Sequence, residues 1–147
     1  MRQPPRPRDA LGRPLPRDGR IVEPDPEPLP PAQTLTLAQQ LLDGGRAFRA
    51  HEVLEARWKA TAGVDRDLWR GLAQLAVGVT HAQRGNARGA VALLRRAAQT
   101  LTLWEGQRPD GIAVADVRRW ANATADAVEA GGTTAVGTPP RLTGSGG

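Results

Sequence analysis

From Thr34 to about residue 130 the apolar residues of this chain recur every three or four positions, and no window shows the strict alternation of a half-buried strand. Whatever folds here is therefore expected to be α-helical. Glycine and turn residues cut the pattern into five helices. The first is capped by Thr34 or Thr36 and runs through Leu37, Leu41 and Leu42 to a stop at Gly44-Gly45. The second covers 47–62 and ends at Gly63. The third, capped by Asp65, covers 66–84 with Leu68, Leu72, Leu75 and Val79 as its stripe. Its other faces are mostly alanine and glycine, which places it at the centre of a bundle, with Gly71 and Gly78 admitting a close neighbour. A fourth, capped by Asn86, covers 87–104, and a fifth covers 113–130 after the Arg108-Pro109-Asp110-Gly111 turn. Short connections make successive helices antiparallel, giving a single small all-α bundle of helical hairpins. Trp58, Trp69, Trp104 and Trp120 are expected to supply most of its large core volume.

Ten of the thirteen prolines lie in residues 1–31, where a fixed φ and missing donors prevent helix or sheet ladders. That segment is expected to be a disordered Pro/Arg-rich tail, with docking through Leu11 and Leu15 as the alternative. Residues 131–147, rich in glycine and threonine, read as a second disordered tail, leaving 32–130 as the domain. The absence of cysteine removes disulfides, thiolate metal sites and a catalytic thiol. No run of roughly eighteen apolar residues and no secretory-type segment is present, so a cytoplasmic protein that does not enter a membrane is expected. The net charge of +5 invites a nucleic-acid reading. However, nineteen of the twenty basic residues are arginine in a chain rich in alanine, glycine and proline, and they are scattered among acids. Nucleic acid is not the expected partner.

The chemistry gathers in the second helix. His51 and Glu55 stand one turn apart, and Trp58 follows on the same side, on a face shared with Phe48, Leu54 and Ala62. An imidazole and a carboxylate within an apolar stripe need hydrogen bonds, a metal or a cleft. Three readings remain open. His51 and Glu55, or Glu55 and a tryptophan N–H, satisfy one another as core structure; they belong to a binding pocket; or they are ligands of a divalent metal ion in a hydrolytic site. Gln74 and His81, seven residues apart on the third helix, join the pocket if their face packs on His51. Glu52 lies off the His51 face, near Lys59, and is expected to be solvated. The string HExxE lacks the second histidine of the zinc-protease HExxH.

These residues also carry a resemblance. His51, Glu55 and Trp58, with Gln74-Leu75-Ala76-Val77-Gly78, Arg84-Gly85-Asn86 and Leu93-Leu94-Arg95-Arg96-Ala97 in order, make residues 41–103 similar to the bacterial and archaeal family called domain of unknown function 309, whose hallmark is HxxxExxW or HxxxExxY on a helix. The resemblance implies an all-helical fold and a metal-binding role for the motif, with no assigned activity. Taken together, the expectation is a non-enzymatic binding or scaffolding module, working through a protein partner or self-association. The alternative is a metal-binding protein or metal-dependent hydrolase with His51 and Glu55 as ligands.

Overall fold

A computed structural model describes residues 24–144. Among them are five α-helices and no strand: α1 (Pro31–Asp43), α2 (Ala47–Lys59), α3 (Asp65–Gln83), α4 (Ala87–Thr100) and α5 (Val114–Gly131). Single 3-10 turns lie at Leu101–Trp104, Pro109–Gly111 and Thr133–Ala135. The all-helical expectation holds, and the differences lie at the ends of elements.

α1 begins at Pro31, not at a threonine cap, because a proline in the first position loses an N–H that would be unpaired anyway. Thr34 is instead buried inside the helix, its one hydroxyl hydrogen shared between the carbonyls of Leu29 and Pro30, 3.0 and 2.9 Å away. α2 stops at Lys59, three residues short of the expected 62. There the Thr61 hydroxyl donates to the Arg57 carbonyl at 2.6 Å, and Gly63 takes a φ of +76° that L residues avoid. Asp65 makes no capping bond; the residue before α3 is Val64. Asn86 does cap α4, accepting the Gly89 N–H at 2.9 Å.

α3 is the central element, packed between α2 and α4, with α1 against α2 and α5 against α4. Its Leu68, Trp69, Leu72 and Leu75 are fully buried with Leu54, Leu94 and Leu101. A Cβ at Gly71 would stand 2.8 Å from the Leu101 side chain, and one at Gly78 2.9 Å from that of Leu94, so the two glycines set how closely α4 approaches α3. Trp69 and Trp104 are core residues, whereas Trp58 and Trp120 are half-buried at its edge.

The expected tail of 131–147 differs from the structure over 131–144, which packs on the domain. Leu142 is fully buried. Its carbonyl accepts the Ala113 N–H at 2.8 Å, and its own N–H donates to Gln39 Oε1 at 2.8 Å. Gln39 Nε2 also donates to the Pro140 carbonyl at 3.0 Å, Trp120 Nε1 to the Thr138 carbonyl at 2.8 Å, and Arg141 pairs with Asp43. Side chains satisfy this backbone where a ladder would elsewhere, which is why no periodicity announces it. Residues 24–30 have no regular structure; Arg49 and Arg57 hold the Pro24 and Leu29 carbonyls, each at 2.7 Å. The remaining tail expectations, for 1–23 and 145–147, including docking through Leu11 and Leu15, lie outside the described residues. No described helix is long and apolar enough to cross a membrane.

Candidate functional site

One flank of α2 presents Phe48, His51, Glu55 and Trp58, spaced by three and four residues so that they form a row. The buried side of the helix, Ala50, Val53 and Leu54, pins it into the bundle and fixes where the row points. Each end of the row is covered by an arginine at the matching end of α3: Arg66 lies 5.2 Å over the Trp58 ring and Arg84 5.2 Å over the Phe48 ring. Between them the His51 ring stands 5.5 Å from that of Phe48, tilted at 46°.

The polar groups of this row are incompletely satisfied. His51 Nε2 is 3.7 Å from Glu55 Oε2, within ion-pair range but beyond a hydrogen bond. Lys59 Nζ stands at the same 3.7 Å from the other oxygen of Glu55. His51 Nδ1 and Trp58 Nε1 are buried and have no hydrogen-bond partner. Burial holds the His51 pKa below its usual 6.5; Glu55 and Glu52 pull it back up in part, and Lys59 opposes them.

Glu52 is not the solvated charge the sequence implied. It is 8% exposed and pairs with Arg49 at 3.0 Å, one turn earlier, an arrangement that lets a carboxylate sit against the chain preceding α1. Gln74 and His81 lie on the flank of α3 that meets α4. Gln74 Oε1 accepts the Thr100 hydroxyl at 2.7 Å, and His81 Nδ1 accepts from the Asn86 amide at 3.1 Å. Both therefore engage α4 and its cap, and the four-group pocket beside Trp58 does not form. The arginines over Trp58 and Phe48 escaped sequence reading, since eight and thirty-six residues separate each pair and only the α2–α3 packing brings them together.

Two clefts lie nearby in the fold. One, of ≈ 340 Å³, is lined by Glu52, Glu55 and Lys59 of α2 and by Asp25, Pro26 and Pro28 of the preceding chain. The other, also ≈ 340 Å³, lies beneath the C-terminal segment, among Leu42, Val79, Trp120 and Val136. Neither is lined by His51 or Trp58.

The described residues around the motif do not fit a metal centre. A structural zinc site takes four protein ligands and a catalytic one three, and the motif offers His51 and Glu55 alone. Among the described residues no three His, Asp or Glu side chains gather in a metal-holding group. Both neighbouring carboxylates already face cations, Glu55 toward Lys59 and Glu52 toward Arg49.

Residues 35–93, from α1 into α4 and so including the whole His51–Trp58 row, match a family model described as Domain of unknown function (DUF309). No curated protein and no solved structure matches the chain.

Proposed function

We propose, from the site itself, that the chain is a non-enzymatic binding module whose recognition groups are those of the His51–Glu55–Trp58 row; the DUF309 model that residues 35–93 match assigns no activity in its description. The observation that carries this reading is the pair of buried, unpartnered polar atoms, His51 Nδ1 and Trp58 Nε1, on one side of one helix. Leaving a buried donor or acceptor unpaired costs about 1–3 kcal/mol. Proteins tolerate that cost at sites whose missing partner is supplied by a ligand. Binding fits better than nucleophilic catalysis, because neither ring nitrogen of His51 is hydrogen-bonded to a hydroxyl that it could activate.

The test is the thermal stability of His51→Leu. A binding site held at a cost to the fold becomes more stable, or no less stable, when the unpaired imidazole is replaced by an apolar side chain of similar width. A melting temperature several degrees below wild type makes His51 a structural residue and removes the basis of the reading.

A further inference from the structure

Residues 68–104, which form nearly all of the α3–α4 hairpin and its 3-10 extension, contain five arginines and not one aspartate or glutamate. Many of the described arginines are occupied, among them Arg70, which pairs with Asp67 at 3.5 Å. Arg49 pairs with Glu52, Arg95 with Asp126 and Glu129 at 2.8 and 2.6 Å, Arg118 with Glu105, Arg119 with Asp116 and Arg141 with Asp43. Arg66, Arg84, Arg88 and Arg96 are exposed and have no carboxylate partner among the described residues.

Arg66, Arg84 and Arg96 share one surface. Arg66 and Arg84 are eighteen residues apart, five whole turns of α3, so they project in the same direction about 27 Å from one another. Arg70 lies in the same row, one turn from Arg66. Gly89 and Thr100 are the α4 residues that meet His81 and Gln74 on the adjoining side of α3. Arg96 precedes Thr100 by one turn, which sets it beside the α3 row, whereas Arg88, two turns before Arg95, shares the flank of α4 that faces α5. The rings of Trp58 and Phe48 support Arg66 and Arg84, so these guanidiniums are held in place with donor edges still available.

Among the described residues three large apolar side chains are exposed. Phe48, 40% exposed, lies beside Arg84 at the C-terminal end of α3, while Val64, 66% exposed, immediately precedes α3 and Leu103, 65% exposed, belongs to the 3-10 turn that follows α4. We infer that the α3–α4 face is a docking surface for an acidic amphipathic helix of a protein partner, about five turns long, with carboxylates over the arginine row and apolar residues toward its ends. The apolar groups decide between anionic partners. Phosphates have no use for Val64 and Leu103, and the aromatic faces on which a nucleic-acid base would stack are already covered by Arg66 and Arg84. This inference goes beyond the His51 reading and does not depend on it.

The experiment measures fluorescence anisotropy of a labelled 20-residue helical peptide of glutamate and alanine with leucines near both ends, titrated with the full chain. A lysine-for-glutamate version of the peptide and a 20-nucleotide polyuridine serve as competitors. The expected result is binding of the acidic peptide alone, weakened by salt, and weakened about tenfold or more in Arg66→Glu/Arg84→Glu/Arg96→Glu. Arg119→Glu, a charge reversal on α5, should leave it unchanged. If the triple reversal proves unfolded by circular dichroism, the same comparison is made with glutamine at the three positions. No binding of the acidic peptide, equal binding by wild type and triple variant, or tighter and arginine-dependent binding of polyuridine would each overturn the proposal.

Discussion

His51 Nε2 and Glu55 Oε2 face each other across one turn of α2 at 3.7 Å, close enough to feel each other's charge and too far apart to share a hydrogen. A pair that existed only to hold the core together would close that distance. Here the carboxylate is divided between His51 and Lys59, and the far side of the imidazole stays unpaired. The row is therefore electrostatically poised rather than locked, and its behaviour under pH is the most direct readout of that state.

Burial keeps the His51 pKa below 6.5 in the folded chain. The unfolded chain, free of that burial, binds the proton first as pH falls through 6.5, so the stability contributed by the neutral ring is complete above that pH and declines below it until the folded pKa is passed. The melting temperature of wild type should fall between pH 7.5 and pH 5 by more than that of His51→Gln, which cannot titrate there. Asp43 acts in a separate window: Arg141 holds its pKa below 3.8, so its contribution is lost only as pH falls below that value. Parallel curves for the wild type and His51→Gln would show that burial does not shift His51.

Metals give the second expectation. With two donors in place of three or four, addition of zinc, manganese, iron(II) or nickel to chelator-treated protein should leave the melting temperature within error. Binding at a hundred times its dissociation constant adds about 2.7 kcal/mol, a shift of several degrees in a domain of this size. One metal that raises the wild type and not His51→Ala would replace the binding-module reading with a metal centre.

The helical class, the central position of α3 and the His51–Glu55–Trp58 row were legible because helix periodicity and i,i+4 spacing are local properties. The burial of Glu52 was not legible, because its partner Arg49 lies one turn toward the helix start and the chain that covers both is brought there only by folding. Gln74 and His81 shared a face as expected, but which neighbour that face meets is decided by packing, and α4 took it. The C-terminal segment was illegible for a different reason. Leu142 docks as a single side chain among glycines and prolines, and its hydrogen bonds go to Gln39 and Ala113, far away in sequence.

That docking yields the third expectation. Leu142→Ala removes a fully buried side chain at the junction of α1 and α5, which should cost about 2–5 kcal/mol and lower the melting temperature by well over five degrees. Gln39→Ala, which strips the bonds to Pro140 and Leu142, should cost less and render residues beyond 131 more sensitive to protease. Stability in Leu142→Ala equal to wild type would show that the segment contributes nothing to the fold.

Gly78 is the strongest test of the packing that creates the α3–α4 face. A Cβ there would lie 2.9 Å from Leu94 Cγ and 3.2 Å from the Leu94 backbone nitrogen, so relief requires moving the α4 main chain and not only a side-chain end. Alanine is the better helix former by about 1 kcal/mol, whereas overpacking of this kind costs about 1–3 kcal/mol. The second effect should win: Gly78→Ala is expected to melt below wild type. The displacement should also be visible in amide chemical shifts along α4, since Arg88 and Arg96 move with that helix. A more stable Gly78→Ala would mean that α4 yields readily at Leu94, and that the spacing of the arginine face is set elsewhere, by Gly71 against Leu101.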